Sequence, residues 1–258
     1  MDCSTNKLYH VDGFDSRQFL EIYLSDKPEM VFGEESLIFP IENLTKTFTA
    51  GLIKGEILID LSIGPMIHHL YAACEFFKHI IVLKASDRCI MELKRWLDTR
   101  TGAFHWGHAT QLHVDIETEQ LQDKEEKMRS AVQHVIKCDF EKENIIEPLD
   151  LPPADCIISV SFLDVISKNH DDYRRNVGKL SRLLNPGGCL ILIGATDATY
   201  FTVGKDKLHV LRYDEDFAKE ALVGEGFVID CCKVKESKVV SDLIDYKGSI
   251  FIAARKEK

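Results

Sequence analysis

The chain has 258 residues, 45% of them hydrophobic, enough for the core of one large domain. A formal net charge of −10 and a pI near 5.5 argue against a binder of nucleic-acid backbones, which needs a basic face. No apolar run reaches the ~20 residues that span a bilayer, and the opening MDCSTNKLYHVDGF has no signal-peptide stretch, so a cytoplasmic protein without a membrane partner is expected.

Taken in chain order, Ser16–Leu24 and Glu34–Phe48 read as two helices ahead of any strand, placed to cap a site rather than extend a sheet. Five short apolar runs follow: Glu56–Leu61, His79–Lys84, Val135–Asp139, Asp155–Phe162 and Cys189–Gly194. Their near-continuous Ile/Leu/Val content suits parallel strands covered on both faces. Helical patterns fill the gaps at Pro65–Phe77, Ser86–Leu97, Glu119–Gln133, Asp171–Leu184 and Asp214–Gly224. Pro65 is acceptable near a helix start, and Ser86 or Asp87 is a candidate N-cap. Asn185-Pro186-Gly187-Gly188 reads as a helix stop and turn. Phe227–Val234 and Ser249–Ala254 read as a closing antiparallel pair at one edge.

The fold class predicted is therefore α/β: a doubly wound, mostly parallel seven-stranded Rossmann-like sheet. Residues 1–50 form capping helices and residues 51–258 the core of a single domain. The eight cysteines contain no C-x-x-C pair, which speaks against zinc, and no metal is expected. For the vicinal Cys231–Cys232, two faces of one strand is the preferred reading over a redox switch. Ligands of such sheets sit beyond the carboxyl ends of the strands, here near residues 60–68, 84–89, 139–140, 161–165 and 194–200.

Several segments at those places carry a family resemblance. ILIDLSIGP (Ile57–Pro65) is similar to the first motif of class I S-adenosylmethionine-dependent methyltransferases, in the form D-I-G-S-G-P. FDSRQFLEIY (Phe14–Tyr23), YAACEFF (Tyr71–Phe77), ELKRWL (Glu92–Leu97), KCD (Lys137–Asp139), LPPADC (Leu151–Cys156), LLNPGG (Leu183–Gly188) and FIAARK (Phe251–Lys256) continue the match, in order and nearly end to end. The chain resembles the small-molecule N-methyltransferases that act on nicotinamide, phenylethanolamine and indolethylamine.

The resemblance implies S-adenosylmethionine as cofactor and a small amine, pyridine or thioether as substrate, handled by a monomer. Cofactor positions carried over are Phe19, Ser62, Ile63, Gly64, His68, Lys84, Ser86, Cys89, Asp139, Phe140 and Ser161. Substrate positions are Asp164, Gly194, Asp197 and Ala198, and Tyr23 and Tyr200 are the candidate catalytic side chains. Asp139 would accept from the adenine amino group.

The match also has departures. Ser62 stands for the family's first glycine and Ile63 for its serine. Lys84 replaces the carboxylate that holds the ribose hydroxyls, and an ammonium can only donate. Cys89 replaces an asparagine, and Phe19 and Leu24 replace tyrosines. At the substrate end, Gly194 replaces an aspartate, and Ala198 and Val210 replace serines, so the polar contacts for a carboxamide are gone.

Two functions stay open at this point. One is a methyltransferase acting on the nitrogen or sulfur of a small molecule, in which alignment in a dry pocket does most of the work. The alternative is a catalytically impaired descendant kept as a binding or scaffold module. A nucleotide-phosphate site at Lys84 is a distant third, because residues 60–65 lack G-x-G-x-x-G.

Overall fold

A computed structural model describes residues 6–25, 34–53, 55–107, 118–238 and 240–257. Three helices come first: α1 (Tyr9–Asp12), α2 (Ser16–Tyr23) and α3 (Glu34–Thr49). The core then runs β1 (Ile57–Ser62), β2 (His79–Lys84), α4 (Asp87–Leu97), α5 (Thr118–Ala131), β3 (Val132–Lys137), β4 (Ala154–Val160), α6 (Leu163–Ile166), α7 (His170–Arg182) and β5 (Leu184–Thr196). A hairpin of β6 (Tyr200–Val203) and β7 (Asp206–His209) precedes α8 (Glu215–Gly224), β8 (Phe227–Glu236) and β9 (Gly248–Lys256).

The seven-stranded sheet has the order β3-β2-β1-β4-β5-β9-β8. Strands β1 to β5 pair in parallel, while β9 runs antiparallel to both β5 and β8. The order reverses between β1 and β4, and that switch point opens a crevice at the carboxyl ends of the strands. Burial explains the strand composition: Leu58, Ile59, Ile80, Val82, Ile157, Ile158, Leu190 and Ile191 are inaccessible or nearly so.

Local chemistry fixes the helix starts. The side chains of Asp15, Asn169 and Asp214 accept from the backbone N–H groups of Gln18, Asp172 and Phe217. Ser86 is the N-cap of α4 by backbone conformation, without a side-chain bond.

Several elements differ from the sequence reading. The stretch after β1 is a 3-10 turn at His68–Tyr71 rather than a long helix. Strand β3 already starts at Val132, which pairs with Ile80 of β2 ahead of a register shift at Ile81. Asn185–Gly188 lies within β5 as an interruption, with Ala154 opposite Leu184 but Cys156 opposite Cys189. The hairpin β6–β7 and the short α1 were not foreseen.

Candidate functional site

At the carboxyl end of β1 the chain carries Asp60 and Ser62, and β2 delivers Lys84 beside them. Lys84 points into the protein and is wholly buried. Its ammonium donates to the Ser62 carbonyl (3.1 Å), the Ser62 hydroxyl (2.6 Å) and the Met66 carbonyl (3.1 Å). The Asp60 carboxylate lies 3.8 Å away.

An isolated ammonium would be prohibitively costly here; three oxygen acceptors and a carboxylate make it tolerable. Burial still lowers the Lys84 pKa, with Asp60 acting in the opposite sense. The Ser62 hydroxyl lies 3.0 Å from Asp60 Oδ2 and 2.8 Å from the Met66 carbonyl, and His69 Nε2 is 2.5 Å from Asp60 Oδ1. Lys84 thus cross-links the turn from beneath. It does not project over the groove, where the resemblance had put its family counterpart.

Above the turn lies a cluster of aromatic rings. Gly64 has φ +58°, and its N–H donates to the Tyr9 hydroxyl at 3.2 Å. That hydroxyl is 3.9 Å from Cys89 Sγ, in the first turn of α4. Tyr9 packs 5.1 Å from Phe14 and 6.3 Å from Phe162, centroid to centroid, and Phe14 in turn lies 5.4 Å from Phe19. A Cβ on Gly64 would come within 2.9 Å of the Phe19 ring. Tyr9 is fully buried, and burial holds its hydroxyl pKa well above the usual value.

Beyond Tyr9 an open depression remains, bordered by His10, Ala85, Cys138, Asp139, Phe140 and Ile166. Asp139 is exposed there and accepts from the Glu141 N–H at 3.0 Å. Ser86 lies on a separate rim with Asp12, Phe14 and Asp87.

A second, mainly apolar cavity lies between the N-terminal helices and the ends of β1, β4 and β5. Phe19, Tyr23, Ile63, His68, His69, Ser161, Asp164 and Gly194 all line it. Asp164 is its buried carboxyl group, within reach of the Ala195 N–H at 3.4 Å. Burial pushes the Asp164 pKa up to about 7. Tyr213 accounts for the glycine at 194: a Cβ there would lie 2.0 Å from its hydroxyl.

Three of the substrate and catalytic candidates lie outside this cavity's lining. Tyr200 sits under the Lys207 ammonium, 3.9 Å from the ring centroid, and donates to the Asp242 carbonyl. Asp197, at φ +55°, accepts from Arg212 at 2.8 Å. Ala198 is buried without lining it. Tyr23 does line it, and its hydroxyl donates to the Thr202 carbonyl at 2.7 Å, tying α2 to β6.

Sequence reasoning missed Tyr9, His69 and Tyr213. The first two had weak signals, an aromatic in a polar opening and a second histidine after the turn; Tyr213 had none.

The fit to S-adenosylmethionine is divided. The substrate-side cavity and the Asp139 depression are open, but Tyr9 fills the span between Gly64 and Cys89 that joins them.

Residues 2–257 match the model of a family described as the NNMT/PNMT/TEMT family. Nicotinamide N-methyltransferase of Homo sapiens is 32% identical over 254 residues, covering 98% of this chain and 96% of the relative. Indolethylamine N-methyltransferase of Oryctolagus cuniculus is 32% identical over 246 residues, covering 95% and 94%. Phenylethanolamine N-methyltransferase of Homo sapiens is 32% identical over 220 residues, covering 83% and 78%. Among solved structures, magnesium protoporphyrin IX methyltransferase of Synechocystis with bound SAM aligns with a TM-score of 0.56 at 14% identity, covering 96% of this chain and 93% of that one. A SAM-dependent methyltransferase of Methanosarcina mazei also gives 0.56, at 12% identity, covering 81% and 97%. These likenesses to solved structures concern the fold.

Proposed function

We propose that this chain, which belongs to the NNMT/PNMT/TEMT family, transfers a methyl group from S-adenosylmethionine to the nitrogen or sulfur of a small, largely apolar amine, pyridine or thioether. The observation that carries this reading is the apolar cavity holding Asp164 beside the turn that follows β1. When bound, the cofactor supplies an electrophilic methyl group.

The chain's own residues do the rest. Phe19, Ile63 and Phe201 exclude water from the acceptor's surroundings. The Asp164 carboxyl, with a pKa of about 7, pairs with an arriving ammonium and takes its proton at neutral pH. Gly194 and Val210 offer no side-chain hydrogen bond, which favours acceptors without a carboxamide. Asp139 and Phe140 stand where the adenine end of the cofactor would lie.

In this reading residues 1–50 cap the site and residues 51–258 form the core of one domain. The protein acts as a cytoplasmic monomer, without nucleic-acid or membrane partners. The scaffold reading has no observation in its favour, since each relative named above is itself a methyltransferase.

The test is transfer of radiolabelled methyl from S-adenosylmethionine to a panel of apolar amines, pyridines and thioethers. Turnover of at least one class is expected. No turnover with any class, in wild type or in Tyr9→Ala, would refute the proposal.

A further inference from the structure

The segment from Asn6 to Asp15 crosses the groove in which the methyltransferase reading seats a nucleoside, and that reading is the premise here. We propose that Tyr9 is an internal occupant of this groove: its ring and hydroxyl fill the nucleoside's space until the segment swings outward. S-Adenosylmethionine therefore binds in competition with the chain's own N-terminal turn.

Three observations converge on this. First, the position: Tyr9 reaches the Gly64 N–H, Cys89 and Phe162, which are the turn after β1, the start of α4 and the end of β4. Those are the walls of the crevice at the switch point of a doubly wound sheet. Second, the depression at Asp139 ends against α1, with His10 and Val11 on its border. It is the open remainder of a longer groove.

Third, the attachment is light. Helix α1 is one turn, too short to hold itself. Val11 is 63% exposed, so Tyr9 is the principal apolar anchor of α1. The outer end is tied by Lys7, which bonds through its backbone to Lys207 and His209 and through an exposed ion pair to Asp206. At the inner end Gly13, at φ +70°, supplies a pivot. A ligand that binds only the open form has its apparent affinity reduced by the fraction of molecules open.

The test compares wild type, Tyr9→Ala and Tyr9→Phe by titration calorimetry with S-adenosylhomocysteine. Alkylation of Cys89, followed by peptide mass mapping, reports groove opening without any ligand. Tyr9→Ala is expected to tighten binding at least ten-fold and to speed Cys89 alkylation by a similar factor. Tyr9→Phe keeps the ring and loses the bond to Gly64, so a two- to five-fold gain is expected; it decides the matter if the alanine variant fails to fold.

Micromolar affinity that is equal in wild type and both variants overturns the internal occupant and leaves the methyltransferase reading standing. A variant whose Cys89 reacts freely yet binds nothing at millimolar ligand overturns both.

Discussion

The Lys84 ammonium lies 2.6 Å from the Ser62 hydroxyl, and this pair closes a buried network that includes Asp60, Met66 and His69. Two residues that look, in the sequence, like separate losses of cofactor contacts are one structural unit. The serine supplies two of the ammonium's three acceptors, its hydroxyl and its carbonyl, and the Met66 carbonyl is the third. The turn after β1 is thereby held by the chain's own cation.

Removing that cation should be expensive. Lys84→Met removes the cation facing the buried Asp60 carboxylate and the donor to two loop carbonyls, and a loss of about 3–5 kcal/mol is expected. Lys84→Asp should cost at least as much, because it sets a second carboxylate beside Asp60. Urea unfolding checks both; a loss below about 1 kcal/mol would mean that the ammonium is not buried as described.

Asp164 gives the protein a pH dependence of definite sign. Its folded pKa of about 7 stands above the ordinary 3.8, so the folded state favours the protonated form. That contribution to stability is complete below about pH 4 and is lost as pH rises through 7. Asp164→Asn removes the dependence. The variant should gain stability on wild type between pH 4 and pH 8, by up to several kcal/mol. Parallel stability profiles would contradict this account. In the methyltransferase, the same variant should lose turnover of amines more than of thioethers.

Gly194 and Tyr213 should behave as a coupled pair. Gly194→Ala drives a methyl group into the Tyr213 hydroxyl, which lies 2.0 Å from the new carbon position. A loss of about 1–3 kcal/mol is expected for this overpacking. In a Tyr213→Phe background the nearest ring carbon is 3.4 Å away, an ordinary contact, and most of the loss should vanish. Additive effects in the double-mutant cycle would remove Tyr213 from this position.

Tyr23→Phe tests the tie between α2 and the hairpin. It removes the donor to the Thr202 carbonyl and the acceptor for the Thr202 N–H. A loss of about 1–2 kcal/mol is expected in thermal or urea unfolding. No change would mean that water replaces the hydroxyl there.

The fold was largely legible because its signals are local. His79–Lys84 has an unbroken apolar centre, Ile80–Leu83, and matches its strand end to end. Asp214 announces α8 through capping chemistry. The Asn185–Gly188 turn was legible as a break but not as an interruption inside a strand, because its resumed pairing with β4 is a long-range event.

The site was legible by position rather than by orientation. Lys84 was singled out at the end of β2, yet whether its side chain turns outward or inward depends on acceptors supplied by Ser62 and Met66. In the sequence Gly194 reads as a missing carboxylate. That Tyr213 fills the space is set by packing 19 residues downstream, which leaves no pattern in the sequence. Tyr9 carries only a weak signal for the same reason: its partners, Gly64 and Cys89, are 55 and 80 residues away.

The most direct measurement is a crystal structure of the protein with S-adenosylhomocysteine. The account expects the nucleoside across the carboxyl ends of β1 and β2, its base beside Asp139 and Phe140, and Tyr9 displaced from Gly64. Ligand bound elsewhere on the molecule, or Tyr9 still on the Gly64 N–H at saturating ligand, would contradict it.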